Sequence, residues 1–220
     1  MSFQKAFIAT SACLALSACG GTTTDGDMVQ GINLTGTQTS NGLLQGVILP
    51  SNADIPSLPV AGQEVLNDFI ALNENGMNPT PPTVGKPEFE GQFGALVTDF
   101  DSGTVLATVT GAIGFTGDFE FGSSSIMGTV DDLSATLADR GVVDTSGELI
   151  VNLARREDDF DGLIQGNITV DGEPVMIDTR VDGTFVNPQY RNAIGSFAGQ
   201  ARYDDGGEDQ VNGVFVADQR

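Results

Sequence analysis

From Glu88 onward the chain alternates apolar and polar side chains with a period of two, and this pattern constrains the fold more than any other feature. Phe89, Phe93, Ala95 and Val97 share one face with Gly91, while Glu88, Glu90 and Gln92 take the other. After the turn-forming stretch FDSGT, Val105, Ala107, Val109, Ile113 and Phe115 alternate with Thr104, Thr108 and Thr110. Leu133, Ala135 and Leu137 alternate with Asp132, Ser134 and Thr136, and Leu149, Val151 and Leu153 with Glu148 and Asn152. One face buried and one wet is the signature of antiparallel sheet. Further runs follow in GLIQGNITV, in PVMIDTRVDGTFV across the turn DGE, and in the pair AIGSFAGQARY and QVNGVFVAD.

Seven to nine short strands joined by turn-rich loops predict an antiparallel meander. Closure into a barrel removes both vulnerable edges, and about eight strands leave an interior that side chains can fill. The 29 glycines among 220 residues suit the tight bends of such closure. The expected fold class is all-β: an about eight-stranded antiparallel meander closed into a soluble β-barrel over residues 87–220, with a short N-terminal helix and a flexible tether. A membrane-spanning barrel would need an outward apolar band and aromatic girdles, whereas the chain has no Trp, only Tyr190 and Tyr203, and Thr, Asp or Gln on the non-core face.

The first residues form a different unit. Lys5 precedes a mostly apolar run from Ala6 to Leu16, too short to span a bilayer, and then comes Leu16-Ser17-Ala18-Cys19-Gly20-Gly21. Secretory cleavage after Ala18 would favour a small residue where Leu16 stands. The segment resembles the lipobox of bacterial lipoproteins. That resemblance implies a signal peptide over residues 1–18 and Cys19 as the acylated first mature residue. Each buried methylene contributes about 0.8 kcal/mol, so several chains anchor where one is marginal. Gly20 after the cysteine resembles the outer-membrane sorting pattern, so the expected partner is the lipid bilayer through acylated Cys19, on the periplasmic or cell-surface face of the outer membrane. Cys13 would leave with the signal peptide, which leaves the mature chain no disulfide.

Residues 19–42, rich in Thr, Gly, Asp, Asn and Gln, read as a flexible tether. Residues 43–86 read as an N-terminal extension. Within it Val65, Leu66, Phe69 and Ile70 recur at helical spacing, and Pro79, Pro81, Pro82 and Pro87 mark a stiff boundary.

A formal charge of -21 argues against nucleic acid, whose binding needs clustered Lys and Arg, and against anionic lipid headgroups. The chain has no His and no mature thiol, so the commonest base, metal ligand and nucleophile are missing. No catalytic residue, enzyme activity or cofactor is expected. The acidic stretches Asp99-x-Asp101, Asp158-Asp159-x-Asp161 and Asp204 to Asp209 offer oxygens for a hard cation, but none matches the twelve-residue calcium loop. Asp204, Asp205, Glu208 and Asp209 remain the calcium candidates; turn chemistry, which favours Asp and Gly, predicts instead that they connect two strands.

The closing stretch GSFAGQARYDDGGEDQVNGVFVA resembles the terminal signature of the barrel domains of the transferrin-binding protein B family, through Gly195, Phe197, Gly199, Ala201, Gly213 and Phe215. VTDFDSGTVLATVTG is similar to that family's Asp-Phe-x-x-Gly-Thr hairpin, matched by Asp99, Phe100, Gly103 and Thr104. The resemblance implies a single barrel without the family's handle domain, lipidation and exposure. The functional expectation is a binding module that takes a host protein, a haem-like ligand or another nutrient at its inter-strand loops; the alternative is a structural envelope lipoprotein without a specific ligand.

Overall fold

In the computed structural model, which describes residues 37–38, 44–45, 60–75, 84–120, 124–156, 159–186 and 191–220, the alternating region closes on itself as a barrel. Cys19, the signal segment, the tether apart from Thr37–Gln38, and Pro79 to Pro82 lie outside the described residues. Two short strands, β1 (Thr37–Gln38) and β2 (Leu44–Gln45), pair ahead of helix α1 (Val60–Asn75). The eight barrel strands are β3 (Glu88–Asp99), β4 (Val105–Asp118), β5 (Ser125–Leu137), β8 (Leu149–Arg156), β9 (Asp159–Val170), β10 (Glu173–Val186), β11 (Asn192–Tyr203) and β12 (Glu208–Gln219). Two short segments, β6 (Gly141–Val143) and β7 (Thr145–Gly147), precede β8.

Successive barrel strands pair antiparallel, and β12 returns to β3 with Phe215 opposite Phe93 and Asp209 opposite Asp99. That last pairing leaves the barrel no open edge. Between β5 and β9 the wall is completed by β6, which pairs with β5, and β7, which pairs with β9. Thr145 bridges the change of partner: its Oγ1 accepts the Ala135 N–H at 3.1 Å and donates to the Val143 carbonyl at 3.2 Å.

The strands are longer than the short ones expected, at 8 to 14 residues. The alternation from Val105 to Phe115 runs through Gly111 and Gly114 as strand residues of β4. The β5 strand also begins well before Asp132, because its inward phase changes along the way. Ile126 and Val130 face the core from even positions, Leu133 and Ala135 from odd ones. The change is a bulge: Thr110 sits opposite Ser134 but Ala112 opposite Asp131, with Asp132 at φ 48°. A strict period-two count cannot follow a strand through such an insertion.

The inward faces make one continuous core. Its filling depends on rings laid over glycines of the adjacent strand. Phe160 lies opposite Gly183, Phe215 opposite Gly195 and Phe197 opposite Gly213. A Cβ on those glycines would stand 2.0, 2.4 and 2.1 Å from the respective ring. Phe93 on β3 and Phe197 on β11 then stack over the intervening β12 at 4.6 Å between centroids. Toward the end opposite the β3–β4 turn the aromatics gather: Phe185 contacts Phe89, Phe119 and Phe160. Arg155 caps that end with its guanidinium 5.1 Å from the Phe119 ring centroid.

Helix α1 lies where its spacing predicts, and its apolar stripe explains its position. Val65, Leu66 and Phe69 bury themselves against Val186, Ile194 and Val214, which point outward from β10, β11 and β12. This second, smaller core covers the outside of the barrel wall near its seam.

Because an added methyl group at Gly213 meets both the Phe197 ring and the Gly94 carbonyl, Gly213→Ala should cost about 1–3 kcal/mol in urea unfolding, as overpacking generally does. Gly114→Ala, whose methyl would make only ordinary contacts beyond 3.8 Å, should change stability by less than about 1 kcal/mol in the same measurement.

Candidate functional site

The two ends of the barrel differ in what they hold. One is filled by the phenylalanine cluster. The other carries the β3–β4, β5–β6, β9–β10 and β11–β12 turns, and there the inward positions are occupied by Ala107, Ala135, Ala201 and valines. These smaller side chains leave a cavity of about 160 Å³ beneath the turns.

Each turn has a local cause. Asp171-Gly172 joins β9 to β10 with φ values of 51° and 83°, the two positive angles of a two-residue type I′ hairpin. In the β3–β4 turn the Asp99 carboxylate accepts the N–H groups of Ser102 at 2.7 Å and of Asp101 at 3.1 Å. Hydrogen bonds from Ser102, with a smaller one from Asp101, hold the Asp99 carboxyl below the usual carboxylate range. Asp99 is therefore a turn former, and its pairing with Asp101 is through backbone.

The β11–β12 turn contains the calcium candidates, and their oxygens go to separate partners. The Asp205 Oδ1 accepts the Gly207 N–H at 2.9 Å, Arg202 Nε donates to Glu208 Oε1 at 3.1 Å, and the Tyr203 hydroxyl donates to Asp209 Oδ2 at 2.8 Å. Asp204 sits exposed in the turn. Glu208 and Asp209 belong to strand β12, whereas sequence reading places them in a turn. No cluster of three or more side chains suited to a metal ion occurs among the described residues. The third acidic stretch divides likewise: Asp158 lies outside the described residues, and Asp161 pairs with Arg156. Asp161 faces Asp182 across the strands, and burial first, then the Asp161 charge, pushes the Asp182 carboxyl up.

Sequence reasoning passed over the residues that shape the mouth. Arg140 Nη1 reaches Asp171 Oδ2 at 2.8 Å, and its Nε lies 3.3 Å from Asp139 Oδ2. The contact joins the β5–β6 turn to the β9–β10 turn, 31 positions away in the chain. Exposed pairs of this kind contribute at most about 1 kcal/mol, so its significance is positional. Phe100 and Val142 project from the same end with 55% and 74% of their surface exposed, and Leu106 lines the cavity with 36% exposed. No spacing signal marks Arg140 or Val142, because their neighbours are set by how the barrel wraps.

No family model matches the sequence, and no curated protein matches it significantly. Solved structures of transferrin-binding protein B are similar to the barrel. A mutant of the Haemophilus parasuis protein, a vaccine antigen, matches at 22% identity and a TM-score of 0.43 over 63% of this chain and 27% of that one. The isotype 1 protein from serogroup B Neisseria meningitidis matches at 15% identity and 0.42, over 65% and 28%. A double mutant of the H. parasuis protein matches at 24% identity and 0.37, over 63% and 26%. The matched part of this chain thus spans about a quarter of the length of those structures.

Burial, and then the hydrogen bond to Asp209, push the Tyr203 phenol well above its ordinary value. A group whose pKa rises on folding contributes stability that is complete below its unfolded value, about 10 for tyrosine, and that is lost as pH climbs from there through the folded value. Spectrophotometric titration should show one phenol ionising late in the native protein and normally in denaturant. Tyr203→Phe should remove that late step and flatten the loss of stability above about pH 10.

Proposed function

We propose that this chain is an outer-membrane-anchored lipoprotein whose barrel presents its turn end to a partner protein. The observation that carries the reading is the pair of large exposed apolar side chains at that end, Phe100 in the β3–β4 turn and Val142 in β6. Exposed aromatics fixed on short turns are the kind of group that anchors a protein interface.

Around them stand Asp101, Asp139, Asp171, Asp204 and Asp205, all at the same end. A partner with a basic patch complements this rim, and the overall charge of -21 adds steering at low salt. A haem-like ligand suits the geometry less well. The cavity of about 160 Å³ falls below the roughly 300–1,000 Å³ of sites for drug-sized molecules. The anchor rests on Leu16-Ser17-Ala18-Cys19 and the apolar run before it.

Two measurements test the reading. Cys19→Ser should move the protein from the membrane fraction to the soluble fraction and abolish acyl labelling; unchanged retention would remove the anchor from the proposal. Pull-down from outer-membrane extracts and serum should yield a partner that saturates at micromolar concentration. Phe100→Ala should weaken its binding by about 2 kcal/mol or more, the cost typical of an interface anchor. Absence of any saturable partner would favour a structural envelope lipoprotein.

A further inference from the structure

The cavity beneath the turns opens within the exposed rim, sharing Asp171 with it, and its chemistry selects its own occupant. Its wall is apolar, with Ala107, Ala135 and Ala201 pointing inward among valines and isoleucines. An apolar void of about 150 Å³ stays dry and takes up a benzene-sized molecule, because water there finds no hydrogen-bonding partners. The volume of about 160 Å³ is of that size.

The mouth is polar and acidic. Asp171 and Glu173 line it, and Arg140, the only cation among the lining residues, is already paired with Asp171 and Asp139. Tyr203 also lines it, but its hydroxyl proton is directed to Asp209. With Arg140 set against Asp171, the Glu173 carboxylate leaves the lining net negative, so an entering carboxylate is repelled and an ammonium group is attracted. We propose that this cavity binds a small primary amine, with an aryl or short alkyl tail in the barrel and the ammonium group facing Asp171 and Glu173. Asp171 belongs to both the rim and this mouth, whereas Phe100 and Val142 take no part in the cavity, so the amine titration and the Phe100→Ala pull-down can fail separately.

The test uses the full-length chain carrying Cys19→Ser, which needs no detergent that could enter the cavity. Calorimetric titrations compare benzylamine with benzoate and hexylamine with hexanoate at low and high salt. Benzylamine and hexylamine should bind saturably with one site, at least about tenfold more tightly than the matching carboxylates, and the gap should narrow as salt screens the mouth. At about 100 times its dissociation constant the amine should raise the melting temperature by roughly 5–10 °C.

Ala135→Leu and, separately, Ala107→Val narrow the void, and each should weaken amine binding by about tenfold or more. If one variant fails to melt cooperatively, the other decides; if both fail, the charge series on the parent chain decides. Amines that do not saturate by about 10 mM overturn the proposal, since burying about four methylenes already corresponds to that affinity. Equal binding of carboxylates, or undiminished binding by a folded cavity-narrowing variant, overturns it as well.

Discussion

The barrel depends on phenylalanine rings lying over glycines in the next strand. Closure of eight strands sets the interior width, and that width has to be filled without bending the wall. Phe160 over Gly183, Phe215 over Gly195 and Phe197 over Gly213 achieve this by placing a ring in the space a Cβ would occupy. Two of the three pairs join β11 to β12, the hairpin that also docks on β3. The contact that fills the core therefore also supports the strands that seal the barrel. Helix α1 adds to the same region from outside, through Val214 and Ile194.

The core is not filled evenly, and the difference between its ends gives the molecule a direction. At about 24 cal/mol per Å³, a void of 160 Å³ corresponds to a cost on the order of 4 kcal/mol relative to a filled interior. Total stabilities of domains run only to about 5–15 kcal/mol. Such an unfilled space, next to a mouth bridged by Arg140 and Asp171, is physically consistent with a site that gains its missing contacts from a ligand. The opposite end is filled by phenylalanine rings and capped by Arg155.

The acidic segment between β11 and β12 shows how the same residues can suggest a metal loop and build a hairpin. Hard-cation sites need carboxylates to converge, but here Asp205, Glu208 and Asp209 bond to a backbone N–H, an arginine and a tyrosine hydroxyl. Strand pairing separates them, because neighbouring residues on a strand face opposite sides. Asp209 points toward the mouth with Tyr203, while Glu208 stays on the outer side with Arg202.

What the sequence alone determined was the alternation from Phe89 to Phe215, and with it the all-β class, the inward face, the closing hairpin and the position of the helix. Local periodicity records which side of a strand is dry, so those features were legible residue by residue. The bulge at Asp132 and the full length of β5 were not, because an inserted residue changes the phase. The mouth was decided only by tertiary structure: Arg140 meets Asp171, and Ala107, Ala135 and Ala201 share one cavity, because ring closure brings distant strands to the same height. Strand order, register and barrel circumference set those distances, and no short-range pattern encodes them.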